Sequence, residues 1–183
     1  MKKLAVIFPG IGYHTDKPLL YYSKKLAAQN GYEIKEVPYG NFPKGAKGSR
    51  EKMEKAFFSA IEQTEEMLKD VDFDAYEDIL FISKSVGTAV ASAYGGKHGL
   101  TTRNVYYTPV AESFQFMTQS GIAFTGTKDD WVSLDAVKAG CSERNLPLHV
   151  IRDGNHSLET GQVDQDLKNL REIMKITGEY IQG

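Results

Sequence analysis

Short apolar segments alternate with longer helical patterns along the whole chain, and this alternation limits the possible fold more than any other feature. The apolar segments are rich in β-branched and aromatic residues, which predicts short buried strands. The six predicted strands are Leu4–Phe8, Glu33–Val37, Ile79–Ile82, Val105–Tyr107, Ile122–Thr125 and Leu148–Ile151. Glu33–Val37 is the most polar of them, so we expect it near an edge of the sheet.

The segments between the strands carry apolar residues at spacings of three and four, which predicts amphipathic helices. In the first, Lys17–Gln29, we expect Asp16 to be the N-cap and Pro18 to occupy the first turn. The other predicted helices are Arg50–Lys69, Val86–Tyr94, Leu134–Arg144 and a last one from Leu158 or Thr160 onward. Gly95 and Gly96 are expected to end or fray the third helix.

Strands separated by helices form βαβ units, whose crossovers give a mostly parallel sheet with helices on both faces. The predicted fold class is therefore α/β, a three-layer αβα sandwich around a mostly parallel sheet of about six strands. A length of 183 residues without an internal repeat or a shift in composition predicts one domain, 1–183.

Charge and hydropathy exclude several functional classes. The net charge is −2 with acids and bases intermixed, so no basic block predicts a nucleic-acid partner. The apolar run after Lys3 is shorter than the roughly 7–15 residues of a signal peptide, and no run approaches the ~18 residues of a membrane span. The single cysteine, Cys141, cannot form an internal disulfide and is expected to be buried. A cytoplasmic protein without a membrane partner is the expectation.

Four unusual segments follow predicted strands. They are Pro9–Tyr13, Ser83–Gly87, Gly126–Asp130 and Gly154–His156. Ligands of open parallel sheets bind beyond the carboxyl ends of the strands, so we expect these segments to converge on one functional site.

Ser85 is the candidate nucleophile at this edge. It stands between a buried strand and a helix with Gly87 two residues later, a pattern similar to the G-x-S-x-G turn that raises a serine hydroxyl above a sheet. Ser83 replaces the first glycine of that pattern. A serine at such a turn could also serve only as a helix cap.

A histidine and an aspartate that could activate Ser85 follow later strands. His156 lies in a polar loop after the last strand and is the preferred general base, with His14 after the first strand as its competitor. Asp129 or Asp130 would hold the imidazole in the right tautomer, which we expect to raise its pKa. The order serine, aspartate, histidine is that of α/β-hydrolases.

On these motifs the chain resembles the α/β-hydrolase superfamily, in particular small capless members similar to dienelactone hydrolases and carboxylesterases. Gly126–Asp130 resembles the family segment G-x-x-D-P, which favours Asp129 as the acid although Asp130 replaces the proline. Gly154–Ser157 resembles the family segment that carries the catalytic histidine. Phe8–Gly12 resembles the family's H-G-x-G oxyanion turn, with Pro9 in place of histidine. The resemblance covers nearly the whole chain but lacks the family's usual first two strands.

The resemblance implies a minimal α/β-hydrolase fold and a serine hydrolase that cleaves a small-molecule ester or other acyl substrate, of carboxylesterase or thioesterase type. It implies an oxyanion hole formed by the backbone N–H groups of Val86 and Ile11, with Gly12 as the alternative to Ile11. No metal or other cofactor is expected. The residues expected to contact substrate are Gly12, Tyr13, Phe42, Phe114 and Trp131.

Two other interpretations stay open at this stage. Gly10 and Gly12 could begin a dinucleotide site, although Thr15 stands where the third glycine of G-x-G-x-x-G belongs. The chain could also be a non-catalytic binding protein that has kept a hydrolase-like fold, because folds are reused without their chemistry.

Overall fold

The structure is a computed structural model that describes residues 2–42, 45, 49–117 and 120–183. It contains a six-stranded sheet in the order β2-β1-β3-β4-β5-β6, and each neighbouring pair is parallel. The strands are β1 (Lys3–Phe8), β2 (Tyr32–Glu36), β3 (Asp78–Lys84), β4 (Arg103–Tyr107), β5 (Ile122–Gly126) and β6 (Leu148–Ile151). The helices are α1 (Pro18–Gln29), α2 (Arg50–Leu68), α3 (Val86–Lys97), α4 (Leu134–Glu143) and α5 (Val163–Gln182). The predicted three-layer α/β class is confirmed.

The helices cover both faces of the sheet, and the alternation of side chains along β1 shows how. Ala5 and Ile7 point into a core shared with α1 and α5. Leu4, Val6 and Phe8 point into a second core shared with α2 and α3. Successive residues of a strand face opposite sides, so a strand covered by helices on both sides needs apolar residues at every position. The edge strand β2 alternates between less and more exposed residues, as its polar sequence predicted.

The strand order reverses direction next to β1, because the chain proceeds outward to β2 and then returns to β3 on the other side. The loops after β1 and β3 therefore leave in opposite directions, and a crevice opens between them at the carboxyl ends. The loops after β5 and β6 begin at the same edge of the sheet, because all the strands are parallel. All four segments singled out in the sequence consequently lie on one edge.

Helices α2 and α4 each end one residue before their predicted ends, and the other differences from the predicted helices have structural reasons. Helix α3 continues through Gly95 and Gly96 to Lys97, because burial of most of the helix outweighs the low helical propensity of glycine. Asp16 is not a cap: α1 begins at Pro18 without a side-chain cap. The last helix begins at Val163 rather than at Leu158 or Thr160.

That last start is fixed by local polar contacts. The Asp166 carboxylate accepts hydrogen bonds from the backbone N–H and the hydroxyl of Thr160, and Gly161 has a φ of +82°. These contacts form a turn at Thr160 and Gly161, so the helix can begin only after it. Cys141 is buried in α4 as predicted, and burial raises the pKa of its thiol to about 11. No helix in the described part of the chain is long and apolar enough to cross a membrane.

Candidate active site

Ser85 is the single residue between β3 and α3, and its backbone makes a sharp turn. Its φ is +56° and its ψ is −124°, a conformation that L residues rarely adopt. Such a backbone costs on the order of 1–3 kcal/mol and persists only where the surrounding structure enforces it. The Ser85 N–H donates to the carbonyl oxygen of Tyr107 on β4, 2.9 Å away, which fixes the turn to the neighbouring strand.

Two glycines allow this turn to lie close to the end of β1. A Cβ on Gly87 would stand 2.4 Å from the carbonyl oxygen of Phe8 and 2.5 Å from that of Pro9, far inside contact distance. A Cβ on Gly10 would lie 3.1 Å from the Cβ of Ser85. Gly87 is therefore required for the close approach of α3 to β1.

Ser83 occupies the position where the G-x-S-x-G pattern has its first glycine. Its side chain is buried, and its hydroxyl donates to the carbonyl oxygen of Val105, 3.3 Å away. Because the hydroxyl has a partner within the sheet, a serine is accommodated here without an unpaired buried group.

His156 lies with its imidazole beside Ser85. The distance between His156 Nε2 and Ser85 Oγ is 2.7 Å, within hydrogen-bond reach of a proton transfer. The loop that carries the histidine is held by the hydroxyl of Thr108, which donates to the carbonyl oxygen of His156 at 3.1 Å. The side-chain oxygen of Asn155 accepts the N–H groups of Ser157 and Glu159 and closes the loop on itself.

Asp129 is the aspartate that contacts the histidine. Its carboxylate oxygens lie 2.8 and 3.0 Å from His156 Nδ1, and one of them accepts the backbone N–H of Trp131 at 2.8 Å. The Asp129 side chain is 1% exposed, so the ion is shielded from water and its orientation is fixed. The geometry places Asp129, and not its neighbour Asp130, in line with His156 and Ser85.

The Trp131 side chain stacks on His156. Its ring is nearly parallel to the His156 ring, with centroids 4.7 Å apart and planes 9° apart. The indole therefore covers one face of the imidazole and restricts its rotation. Trp131, which the sequence predicts to be a substrate contact, thus also supports the histidine.

Burial decides the electrostatics of the histidine. Burial lowers the pKa of His156, and the charge of Lys84 lowers it further, whereas the hydrogen bond and the charge of Asp129 raise it; the net shift is downward. Asp129 acts in the expected direction, but the expected net upward shift of this pKa is wrong because desolvation of the imidazolium outweighs the effect of the aspartate. Burial also acts to raise the pKa of Asp129, but the hydrogen bonds from His156 and Trp131 hold it below its ordinary value.

Lys84 is a charged residue at the site that sequence reasoning missed. Its side chain is fully buried, its ammonium lies 5.0 Å from the centre of the Tyr13 ring, and burial lowers its pKa to about 7. Its charge acts on both Asp129 and His156. A lysine directly before the candidate nucleophile, in a strand whose middle residues Ile79–Ile82 are all apolar, was the available signal.

The segment after β1 forms a tight turn beside Ser85. Gly10 and Tyr13 exchange two backbone hydrogen bonds of 3.0 and 3.3 Å, and Gly12 has a φ of +71° that suits glycine. Ile11 and Gly12 stand at the corner. Among the described residues, the N–H groups of Ile11 and Val86 make no backbone–backbone hydrogen bond, so both could serve a ligand. Their role in an oxyanion hole stays a prediction.

The remaining histidines lie apart from this cluster. His14 is exposed and accepts the backbone N–H of Asp16. His98 ends α3 and pairs with Glu65, and His149 stacks on Phe124 in the sheet. The structure thus brings His156 to Ser85 and leaves His14, its competitor, at the surface.

The aromatic residues predicted to contact substrate are only partly at the site. Tyr13 is buried beneath Lys84 and accepts the N–H of Leu19, and Phe42 packs on Tyr39. Phe114 corrects the prediction: its ring lies on Gly140, where a Cβ would approach to 2.5 Å, and so it fills the core below α4.

A cavity of about 290 Å³ instead opens next to Val86, the residue after Ser85. Its aromatic walls are Phe57 and Phe58 of α2 and Phe116, which follows Phe114 by two residues. The spacing of apolar residues predicted this helix, but not that Phe57 would be only half-buried and Phe58 exposed.

The structure also bears on metal and dinucleotide binding. Within residues 2–42, 45, 49–117 and 120–183, no group of three or more His, Cys, Asp or Glu is placed to hold a metal ion. A dinucleotide fingerprint sets its phosphates on the N-terminus of the helix that the glycines open. Here α1 begins only at Pro18, well after the turn that contains Gly10 and Gly12.

Solved structures with a similar fold include α/β hydrolases. A homologue of α/β serine hydrolases from Coxiella burnetii superposes with a TM-score of 0.68 at 15% identity, over 97% of this chain and 84% of the other. Est1E from Butyrivibrio proteoclasticus, solved with ferulic acid bound, gives 0.67 at 12% identity, over 99% and 90%. A serine hydrolase without a lid from Xanthomonas campestris gives 0.60 at 13% identity, over 95% and 81%.

The chain therefore has the α/β-hydrolase fold, as the sequence resemblance implied. Identities this low establish the fold and not the chemistry. Neither a protein-family model nor a curated protein sequence matches the chain.

Proposed function

We propose that the protein is a serine hydrolase that cleaves small-molecule esters or related acyl bonds through Ser85, His156 and Asp129. The observation that carries the proposal is the continuous hydrogen-bonded chain from Ser85 Oγ to His156 and on to the buried Asp129 carboxylate. These residues come from three separate loops, and a purely structural role would not require a strained serine at one end of the chain.

In the first half-reaction, Ser85 Oγ attacks the carbonyl carbon of the substrate while His156 Nε2 takes the hydroxyl proton. The resulting imidazolium is stabilised by Asp129, which stays ionised. Collapse of the tetrahedral intermediate breaks the bond to the leaving oxygen or sulfur, which receives the proton from His156. An acyl ester on Ser85 and a free alcohol or thiol result.

In the second half-reaction, water gives a proton to His156 and attacks the acyl carbon. The acid is released, and the proton returns to Ser85. The negative oxygen that forms in both halves would be bound by the N–H of Val86 and by that of Ile11 or Gly12. The first is at the start of a helix, where the N–H groups lack intrahelical partners and the helix dipole favours negative charge.

The lowered pKa of His156 favours this assignment. A general base must be unprotonated in the free enzyme, and burial lowers the pKa of His156. The imidazole is therefore ready to accept a proton at neutral pH. Carboxylic esters and thioesters can both be cleaved by this mechanism. Because Est1E was solved with ferulic acid bound, esters of aromatic acids are the first substrates to test.

A fluorophosphonate probe tests the proposal directly. The wild-type protein should be labelled on Ser85 and should hydrolyse p-nitrophenyl acetate, and Ser85→Ala should lose both. Ser83→Ala is the matched control, because its hydroxyl is bonded within the sheet, and it should keep labelling and turnover.

The histidine pair supplies a second control. His156→Ala should abolish labelling, whereas His14→Ala should retain it. A folded wild-type protein that neither reacts with the probe nor hydrolyses esters would instead be a non-catalytic binding protein with a hydrolase fold.

A further inference from the structure

We infer that the cavity beside Val86 is an acyl-binding pocket selective for uncharged acyl groups that carry one aromatic ring. The inference rests on the proposed function and names its substrate class. The cavity has a volume of about 290 Å³ and reaches the residue that directly follows Ser85. An acyl group attached to Ser85 can therefore extend into it.

The walls of the cavity suit a flat ring. Phe57 and Phe116 stack on each other with ring centroids 5.7 Å apart and planes only 10° apart, and Phe58 meets Phe57 edge-on at 5.5 Å, so the three rings form one continuous aromatic wall. Phe58 is 56% exposed and Phe116 36% exposed. Large aromatic side chains left open to water next to a reactive group are typical of a binding surface. Val86, Ala89 and Val110 form the apolar floor.

The position of His156 assigns the cavity to the acyl side of the ester. His156 has to donate a proton to the leaving oxygen, so the leaving group must lie beside the imidazole and Trp131. Neither of these residues lines the cavity, whose walls come from α2, α3 and the segment after β4. The remaining half of the substrate, the acyl group, is the part that can occupy it.

Size and charge limit the acyl group further. Pockets for drug-sized ligands measure roughly 300–1,000 Å³, so this cavity fits one ring and a short spacer rather than a long chain. Arg50, Glu54 and Glu112 stand among the lining residues and give one positive and two negative charges. This excess of negative charge disfavours an acyl group that carries its own carboxylate.

The test compares p-nitrophenyl esters that differ only in the acyl group. The wild-type protein should show a higher kcat/KM for the 3-phenylpropanoate than for the acetate. Phe58→Ala and Phe116→Ala should each lower that ratio several-fold, because an aromatic contact contributes about 0.5–1.5 kcal/mol beyond its buried area, a factor of roughly 2 to 12. Phe58→Tyr keeps the ring and should keep the ratio.

Tyr22→Ala is the matched control, since Tyr22 is a similarly exposed aromatic residue on α1, on the opposite face of the sheet. It should leave the ratio unchanged. An unchanged ratio in both phenylalanine variants overturns the inference. The inference is also overturned if the two phenylalanine variants change kcat/KM only within a second series of esters, in which the alcohol is varied and the acyl group is kept constant.

A binding measurement separates failure of this inference from failure of the proposed function. Ser85→Ala protein should bind 3-phenylpropanamide, measured by calorimetry or NMR, and addition of Phe58→Ala should weaken that binding several-fold. If the amide binds and Phe58→Ala weakens that binding, but the wild-type protein hydrolyses no ester, the binding pocket is supported and the hydrolase function is rejected. Ester hydrolysis without such binding would keep the hydrolase and reject the pocket.

Discussion

Substitution of Gly87 by alanine tests how closely α3 must approach β1 at the candidate nucleophile. The added Cβ would lie 2.4 Å from the Phe8 carbonyl oxygen, about 1 Å short of ordinary contact, and 2.5 Å from the Pro9 carbonyl oxygen. Both obstacles are backbone atoms, so no side-chain rotation can relieve the clash. The helix and the end of β1 must move apart.

The cost follows from two opposing contributions. Overpacking of this kind costs typically about 1–3 kcal/mol, and the better helical propensity of alanine returns roughly 0.5–1 kcal/mol. We therefore expect a net loss of about 1–2 kcal/mol, in the upper part of the difference, because neither obstacle can rotate away. For a chain of this length, each kcal/mol moves the unfolding midpoint by about 2–4 °C, so Tm should fall by roughly 2–8 °C.

Gly96→Ala is the same substitution in the same helix and serves as the control. Nothing lies within 4 Å of the position its Cβ would take, and its φ is not positive. The helical propensity should therefore be gained without a clash, which raises Tm by about 1–4 °C. Thermal unfolding followed by circular dichroism measures both variants.

Activity gives a second readout of the same perturbation. Movement of α3 away from β1 displaces the Val86 N–H from the turn at Ile11, so Gly87→Ala should lose ester hydrolysis beyond its loss of stability, and Gly96→Ala should keep it. If the two variants unfold at the same temperature with equal activity, the close approach of α3 to β1 is not a real constraint and the geometry of the turn at Ser85 is misjudged.

Four further predictions concern the charged groups at the site. Asp129→Asn should lower kcat by orders of magnitude, about 10⁴ in the best-studied triad, and Asp130→Asn by much less; a reversed order would assign the acid to Asp130. Because burial lowers the pKa of His156, the acid limb of kcat/KM should lie below pH ~6.5, and a limb above that value contradicts the buried imidazole. Lys84→Met removes a nearby cation, so the limb should move to higher pH; an unmoved limb means that the charge does not reach the histidine. Lys84→Met should also raise Tm more at pH 6 than at pH 10, because the folded protein releases the lysine proton near pH 7 and the unfolded chain only near 10.5.

The positions of the six strands and the fold class were predictable from the sequence because they depend on local patterns. Residues such as Leu4–Phe8 are apolar at every position, and only a strand covered on both faces requires that. Parallel strands between helices then follow from the connections. The convergence of the loops after β1, β3, β5 and β6 is a consequence of the same topology, and it predicted which segments would meet.

Helix ends were less predictable, because they depend on contacts that sequence neighbours do not make. Glycine is a poor helix former, which suggested an end at Gly95, yet Gly95 packs against the Phe81 ring at a distance that would be tight for a Cβ. Packing between α3 and the sheet favours continuation there. Local propensity is a weak guide wherever an element is buried by the rest of the fold.

The sequence by itself determined the residue types of the site and their order along the chain: a serine at a strand-to-helix turn, two aspartates after the fifth strand and a histidine after the sixth. Only the tertiary structure decided that Asp129 rather than Asp130 faces His156, and that Phe116 rather than Phe114 borders the cavity. In each case the candidates lie within two residues of each other, so the choice depends on the direction of a side chain and not on its position in sequence. The direction of the shift in the His156 pKa was likewise set in three dimensions, because desolvation depends on everything that packs around the imidazole.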